Sequence, residues 1–315
     1  MASIEGAGPV TQPSRGEGDP DRRMGVVAAL GSYGTWGFFP ILFRALDGIN
    51  PLTVVAHRVI WSFVLVGAIL AGRGRLGEVK AVFSSWASAR GILISSTLLA
   101  ANWLIFVWAV DSEKVLEVSF GYFINPLISV AIGVVLLGER MNRIQWISIS
   151  MAAVAIGIQA VGLSGLPYVS LSLALLFGFY GYFRKTVNVG SAAGLFVETL
   201  VLLPVALAYL AYTFVVGGLG PHGNPMSMGL LILTGPATSW ALILFVYAAR
   251  RLPLSTMGMF QYIAPSLHFF LAIWLFGEAL NLVQLLSFAL IWVSLAVYSY
   301  DSFRRRSSKV SQGNG

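Results

Sequence analysis

The chain reads "NPLISVAIGVVLLGERMNRIQ" over residues 125–145 and "APSLHFFLAIWLFGEALNLVQ" over residues 264–284. At an offset of 139 residues, Pro126 falls on Pro265, Gly138 on Gly277, Glu139 on Glu278, Asn142 on Asn281 and Gln145 on Gln284. Proline, Gly-Glu and amides are not generic residues of an apolar helix, so the match reads as an internal repeat rather than as shared composition. It extends upstream, where Phe106, Val107 and Ala109 meet Phe245, Val246 and Ala248, and downstream, where Ser148 and Val154 meet Ser287 and Val293. A weaker echo at an offset of 144 residues sets Gly34 and Gly37 against Gly178 and Gly181.

The surroundings of the repeat are apolar. Hydrophobic residues make up 57% of the 315 and charged ones 10%, where a soluble domain carries roughly 25% charged residues. A helix needs about 20 mostly apolar residues to cross a bilayer. Ten segments meet that need: 24–43, 52–72, 91–110, 115–137, 144–163, 166–183, 192–214, 228–249, 254–276 and 282–300. The expected fold class is an all-α integral membrane protein of ten transmembrane helices. Residues 1–23 and 302–315 are rich in charge, Gly or Ser and read as disordered tails. The N-terminal stretch lacks the short apolar core of a cleavable signal peptide. There is no cysteine, so thiolate chemistry and disulfides are out.

The charges then give orientation. Lys and Arg gather in cytoplasmic loops. The tails and alternate loops hold 17 of the 20 basic residues, the opposite loops hold Arg44 and Lys114, and Arg58 lies inside a span. Both termini are therefore expected in the cytoplasm. The net charge of +7 is topological and gives no reason to expect nucleic acid as a partner.

The repeat puts spans 3–5 on spans 8–10, so the unit is five helices: 24–163 and 166–300. Five is odd, and the second copy must enter the membrane from the opposite side. Inverted repeats of this kind are a signature of secondary transporters, with the site between the halves near the midplane. In this topology Glu139 ends its span at the cytoplasmic face and Glu278 at the external face. Both are expected to serve as interfacial caps or packing anchors ahead of any contact with substrate.

Four stretches carry a family likeness: "AHRVIWS" (56–62), "GYFINPLISVAIGVVLLGER" (121–140), "LFVETLVLLP" (195–204) and "RRLPLSTMGMFQYIAPSLHF" (250–269). Together they resemble the RarD family of EamA-type drug/metabolite transporters, over roughly residues 22–303. "LEVSFGYF" (116–123) departs slightly from the family's more usual Ala-Ser-Leu-Gly-Tyr pattern. The resemblance implies a ten-helix inner-membrane transporter with two EamA domains. Some members are described as chloramphenicol-sensitivity proteins.

Few polar groups lie inside the spans, and each is costly there. Glu198 sits ~9 Å from the cytoplasmic end of its span at 1.5 Å per residue. It is a candidate for proton coupling or for binding a substrate amine, or else a carboxylate paired with Arg or an amide to fix packing. Arg58 could grip a substrate carboxylate or phosphate through its fork of donors, or pair with Asp111 or Glu117; a direct pair with Glu198 looks awkward because their depths differ. His57 and His268 are candidate proton carriers, or hydrogen-bonded packing residues. Asn102, Asn125, Gln159 and Gln261 fit interhelical hydrogen bonds. Asn125 and Gln261 stand out because each precedes a span proline. Pro126 and Pro265 should free backbone carbonyls, which are tolerated only inside protein or beside a water-filled cavity. Tyr122, Phe123, Tyr262 and Trp103 could stack on an amphipathic substrate. Three scattered His make no convincing metal site, and no cofactor is called for.

The leading functional expectation is a secondary transporter exporting small amphipathic metabolites or drugs, with protons as a candidate coupling ion. A lipid or lipid-precursor flippase of the same architecture is the alternative. No G-x-x-x-x-G-K-[ST] loop occurs, so ATP is not coupled within this chain. A membrane-embedded enzyme would need paired carboxylates, a Ser/Lys or Ser/His pair, or a His-rich site, and none converges. Gly34 and Gly37 suit close helix contacts, within the chain or in a homodimer.

Overall fold

The computed structural model describes residues 18–112, 114–160, 167–275, 277 and 282–312. Glu278 lies outside the described residues. The elements in order are α1 (Gly18–Gly37), α2 (Phe39–Ala45), α3 (Pro51–Gly72), α4 (Gly77–Ser84), α5 (Trp86–Asp111), α6 (Val115–Leu137), α7 (Arg143–Ala160), α8 (Tyr168–Thr186), α9 (Ser191–Gly217), a 3₁₀ turn (Gly220–Gly223), α10 (Pro225–Ala249), α11 (Leu254–Gln261), α12 (Ile263–Trp274) and α13 (Leu282–Gln312). Among the described residues the regular structure is wholly helical.

The described residues of the ten expected segments fall mainly on helix, two segments being divided: α1 and α2 meet at a turn at Phe38, and α11 gives way to α12 at Tyr262. Six stretches have the length and apolar composition to cross a membrane: Pro20–Ala45, Pro51–Gly72, Trp86–Val110, Glu117–Leu137, Ser191–Gly217 and Pro225–Ala249. The remainder fall short for local reasons. The α7 helix carries Gln145, Ser148, Ser150 and Gln159, α8 ends in Arg184 and Lys185, and the break at Tyr262 leaves two short pieces. The apolar part of α13 is confined to Leu285–Asp301.

Helix starts and stops follow from sequence. Asn50 and Asn224 cap α3 and α10, each accepting from the backbone two residues on at 2.9 Å. Each is followed by a proline in the first turn, where a missing N–H costs nothing. The repeated glycines share a left-handed backbone, Gly138 with φ +63° at the end of α6 and Gly277 with φ +68° three residues past α12, a conformation that side chains resist. Both tail boundaries shift. The α1 helix starts at Gly18, before the expected boundary at 24, with Pro20 in its first turn. The α13 helix continues to Gln312, because no Gly or Pro interrupts 302–312.

The main helix contacts join the two halves of the chain. The α1 helix packs on α10, α12 and α11, α3 on α9 and α10, α5 on α8 and α9, α6 on α8 and α11, and α7 on α13. The core they share is built around Tyr33, Trp103, Tyr180 and Phe245. Gly37 faces Leu267 of the same chain, so that close contact is internal.

Candidate functional site

Two buried arginines mark two polar sites on either side of an aromatic wall. The first is at the α8–α9 hairpin. Glu198 and Arg184 are both fully buried, with Arg184 Nε 3.3 Å from Glu198 Oε1. Ser95 on α5 donates to the same oxygen at 2.6 Å, and the Tyr180 hydroxyl to Oε2 at 3.4 Å. Arg184 Nη2 reaches the carbonyls of Gly190 and Ser191 at 3.4 and 3.2 Å, while Nη1 has no hydrogen-bond partner among the described residues. The guanidinium lies flat against Gly194, where a Cβ would run into it. This pair ties α5, α8 and α9 together. It was hidden in the sequence because Arg184, beside Lys185 at the end of an apolar run, reads as an ordinary loop charge. The signal was Gly194, one helical turn before Glu198, which leaves room for a long side chain to cross.

The wall begins at Tyr180. It stacks on Phe245, with centroids 6.0 Å apart. Phe245 packs against Trp36 at 5.7 Å and Tyr33 at 6.3 Å.

Beyond the wall lies Arg58, 8% exposed. Its Nε donates to Thr238 Oγ1 of α10 at 2.9 Å. The guanidinium carbon stands 4.6 Å from the ring centre of Trp103 and 6.0 Å from those of Phe39 and Phe43. Tyr122 lies near the guanidinium and is 44% exposed. Of the two expected acidic partners, Glu117 lies 3.8 Å from Lys114 and accepts from Val169 N instead, and the Asp111 side chain is outside the described residues. Phe39, Phe43 and Thr238 escaped the sequence reading, since nothing in an apolar run singles out which rings converge on a cation.

The other expected residues distribute around these two sites. His268 sits edge-on to Tyr122 at 6.2 Å and bonds the Trp36 carbonyl at 3.1 Å, which joins it to the Arg58 side. Asn102 donates to the Leu173 carbonyl at 3.0 Å, a packing bond between α5 and α8. Gln261 accepts from Ser129 at 3.3 Å, while Asn125 Oδ1, Gln159 Nε2 and the Tyr262 hydroxyl are buried with no hydrogen-bond partner among the described residues. Pro126 stays within a continuous α6, whereas the break near Pro265 comes three residues earlier, at Tyr262. Gly258 of α11 packs against the Pro126 carbonyl so closely that a Cβ would stand 2.6 Å from it.

His57 pairs with His222, Nε2 to Nε2 at 3.0 Å. Trp61 Nε1 donates to His57 Nδ1 at 3.1 Å. His57 therefore donates from Nε2, and His222 donates from Nδ1 to the Leu219 carbonyl at 3.0 Å. Glu139 caps α11: Leu254 N donates to Oε1 at 2.6 Å, and Ser255 N and Oγ to Oε2 at 2.8 and 2.7 Å. One open groove of about 380 Å³ between α7 and α13, lined by Trp146, Met151 and Val154 among others, holds no charged group.

Residues 23–160 match the model of the EamA-like transporter family. The chain is 38% identical over 291 residues to "Protein RarD" of Escherichia coli K12, covering 91% of this chain and 98% of that protein. It is 39% identical to an "Uncharacterized transporter" of Vibrio cholerae, over 90% and 94% of the two chains. It is 30% identical to the "Chloramphenicol-sensitive protein RarD" of Pseudomonas aeruginosa, over 92% and 98%. A solved crystal structure superposes with a TM-score of 0.71 over 90% of this chain and 99% of its own, at 15% identity. That last likeness is one of fold alone.

Proposed function

We propose that this chain, which belongs to the RarD group of the EamA-like transporter family, is a secondary transporter that exports small amphipathic solutes by alternating access. It is a multi-pass membrane protein, and its relatives are named as transporters. The observation that carries the finer reading is where the buried polar groups meet. Arg58, Trp103 and Tyr122 of the first half converge with Thr238 and His268 of the second, at the junction where an inverted-repeat transporter keeps its site.

The helix contacts support two inverted five-helix units, 24–163 and 166–300. Exchanging first-half helices for their second-half counterparts turns the α1–α10 contact into α8–α5, α3–α10 into α9–α5, and α6–α8 into the pairing of α11 and α12 with α1; all of these contacts are present. With 17 of 20 basic residues on one side, both termini lie in the cytoplasm of an inner-membrane protein. The Glu198–Arg184 pair then closes the cytoplasmic end, and opening that end must part it. Protonation of Glu198 is the step through which a proton gradient would act.

The test compares the medium and contents of cells producing the wild type with those of an empty-vector strain by untargeted mass spectrometry, with chloramphenicol in a drug panel. Outward redistribution of a soluble compound is the expected result. Redistribution of lipid-linked compounds alone would replace this reading with a flippase.

A further inference from the structure

Arg58 is a buried cation whose surroundings are built from rings. Among the described residues no carboxylate lies within ion-pairing distance of it, and its one hydrogen bond to them goes from Nε to a neutral hydroxyl, Thr238 Oγ1. The two terminal amino groups make no hydrogen bond to the described residues. Trp103, Phe39 and Phe43 offer cation–π contacts, which offset only part of the cost of taking a guanidinium out of water. A charge in this state is completed by an anion from outside. Arginine's planar fork suits a carboxylate, which it grips through two parallel N–H···O bonds.

The walls set the rest of the ligand. With one positive charge and apolar rings around it, a monoanion leaves the site neutral, whereas a phosphate dianion would leave a net negative charge in an apolar box. Trp103, Phe39 and Phe43 set ring faces near the guanidinium, and the edge-to-face pair of Tyr122 and His268 adds aromatic surface for an apolar or ring-bearing body. Resting on the transporter reading of this same site, we infer that Arg58 and its aromatic box bind monoanionic organic carboxylates that carry an apolar or ring-bearing body.

The experiment uses the full chain, purified in lipid nanodiscs, with phenylacetate, benzoate and octanoate at millimolar concentrations, each beside its neutral amide. At least one carboxylate is expected to raise the unfolding midpoint while its amide does not. Arg58→Gln is expected to weaken that carboxylate by about thirtyfold or more. Arg58→Lys, which keeps the charge and loses the fork, should fall between. Equal responses to carboxylate and amide, no response to any carboxylate, or an unchanged response in both variants overturns the inference. Cells that still move some other soluble compound would then leave the transporter reading standing. Carboxylate binding without movement of any solute would sink the transporter reading and keep the subsite.

Discussion

Arg184 and Arg58 are both buried, both on apolar helices and both close to aromatic rings, yet among the described residues one has a carboxylate partner and the other has none. Arg184 has Glu198 at 3.3 Å and two backbone carbonyls. Arg58 has a threonine hydroxyl and three ring faces. The difference separates two uses of the same side chain. A guanidinium with its own carboxylate holds helices together, and removing either partner strands a charge. A guanidinium left without one gives up stability in return for a place where an anion can bind.

The comparison is most easily broken at Glu198. Glu198→Gln leaves Arg184 buried and uncompensated, and a broken buried pair costs about 3–5 kcal/mol. A large fall in the unfolding midpoint and in membrane abundance is expected, and the double variant Glu198→Gln with Arg184→Gln should recover most of it. Gly194→Ala comes next, because its new methyl meets the Arg184 guanidinium. Overpacking of this kind costs about 1–3 kcal/mol, read as a midpoint shift that disappears in an Arg184→Ala background. Glu139→Gln removes the charge that caps α11 through three hydrogen bonds. A loss of about 1–2 kcal/mol is expected, with hydrogen exchange rising first at Leu254 and Ser255. The smallest effect is at Trp103→Leu. It removes the nearest ring from Arg58 and should weaken carboxylate binding by about 0.5–2 kcal/mol while barely moving the midpoint of the free protein.

Much of this was open to reading in one dimension. The long apolar segments announced helices, and the Gly-Glu repeat announced a shared local backbone. Gly138 and Gly277 share a positive φ, and Glu139 turns back onto the α11 amides as a helix cap. Residues whose role depends on a partner far away in the chain were harder. Glu198 stood out because a carboxylate in an apolar run is conspicuous, but its partner did not, since Arg184 sits where a topological charge belongs. His222 lies in the turn between α9 and α10, yet it is the hydrogen-bond partner of His57, 165 residues away. Phe39 and Phe43 look like any other apolar residues until α2 turns them toward Arg58. Sequence shows where a polar group is unusual; the side chains that answer it come from packing.

The most direct test of the account is a single side-by-side measurement of unfolding midpoints for Arg58→Gln and Arg184→Gln in the same nanodiscs. The account predicts a drop worth about 3 kcal/mol or more for Arg184→Gln, which orphans Glu198, and a midpoint close to wild type for Arg58→Gln, which orphans no charge. Equal losses in the two variants would mean that Arg58 is as much a structural group as Arg184, and would contradict the division of labour between them.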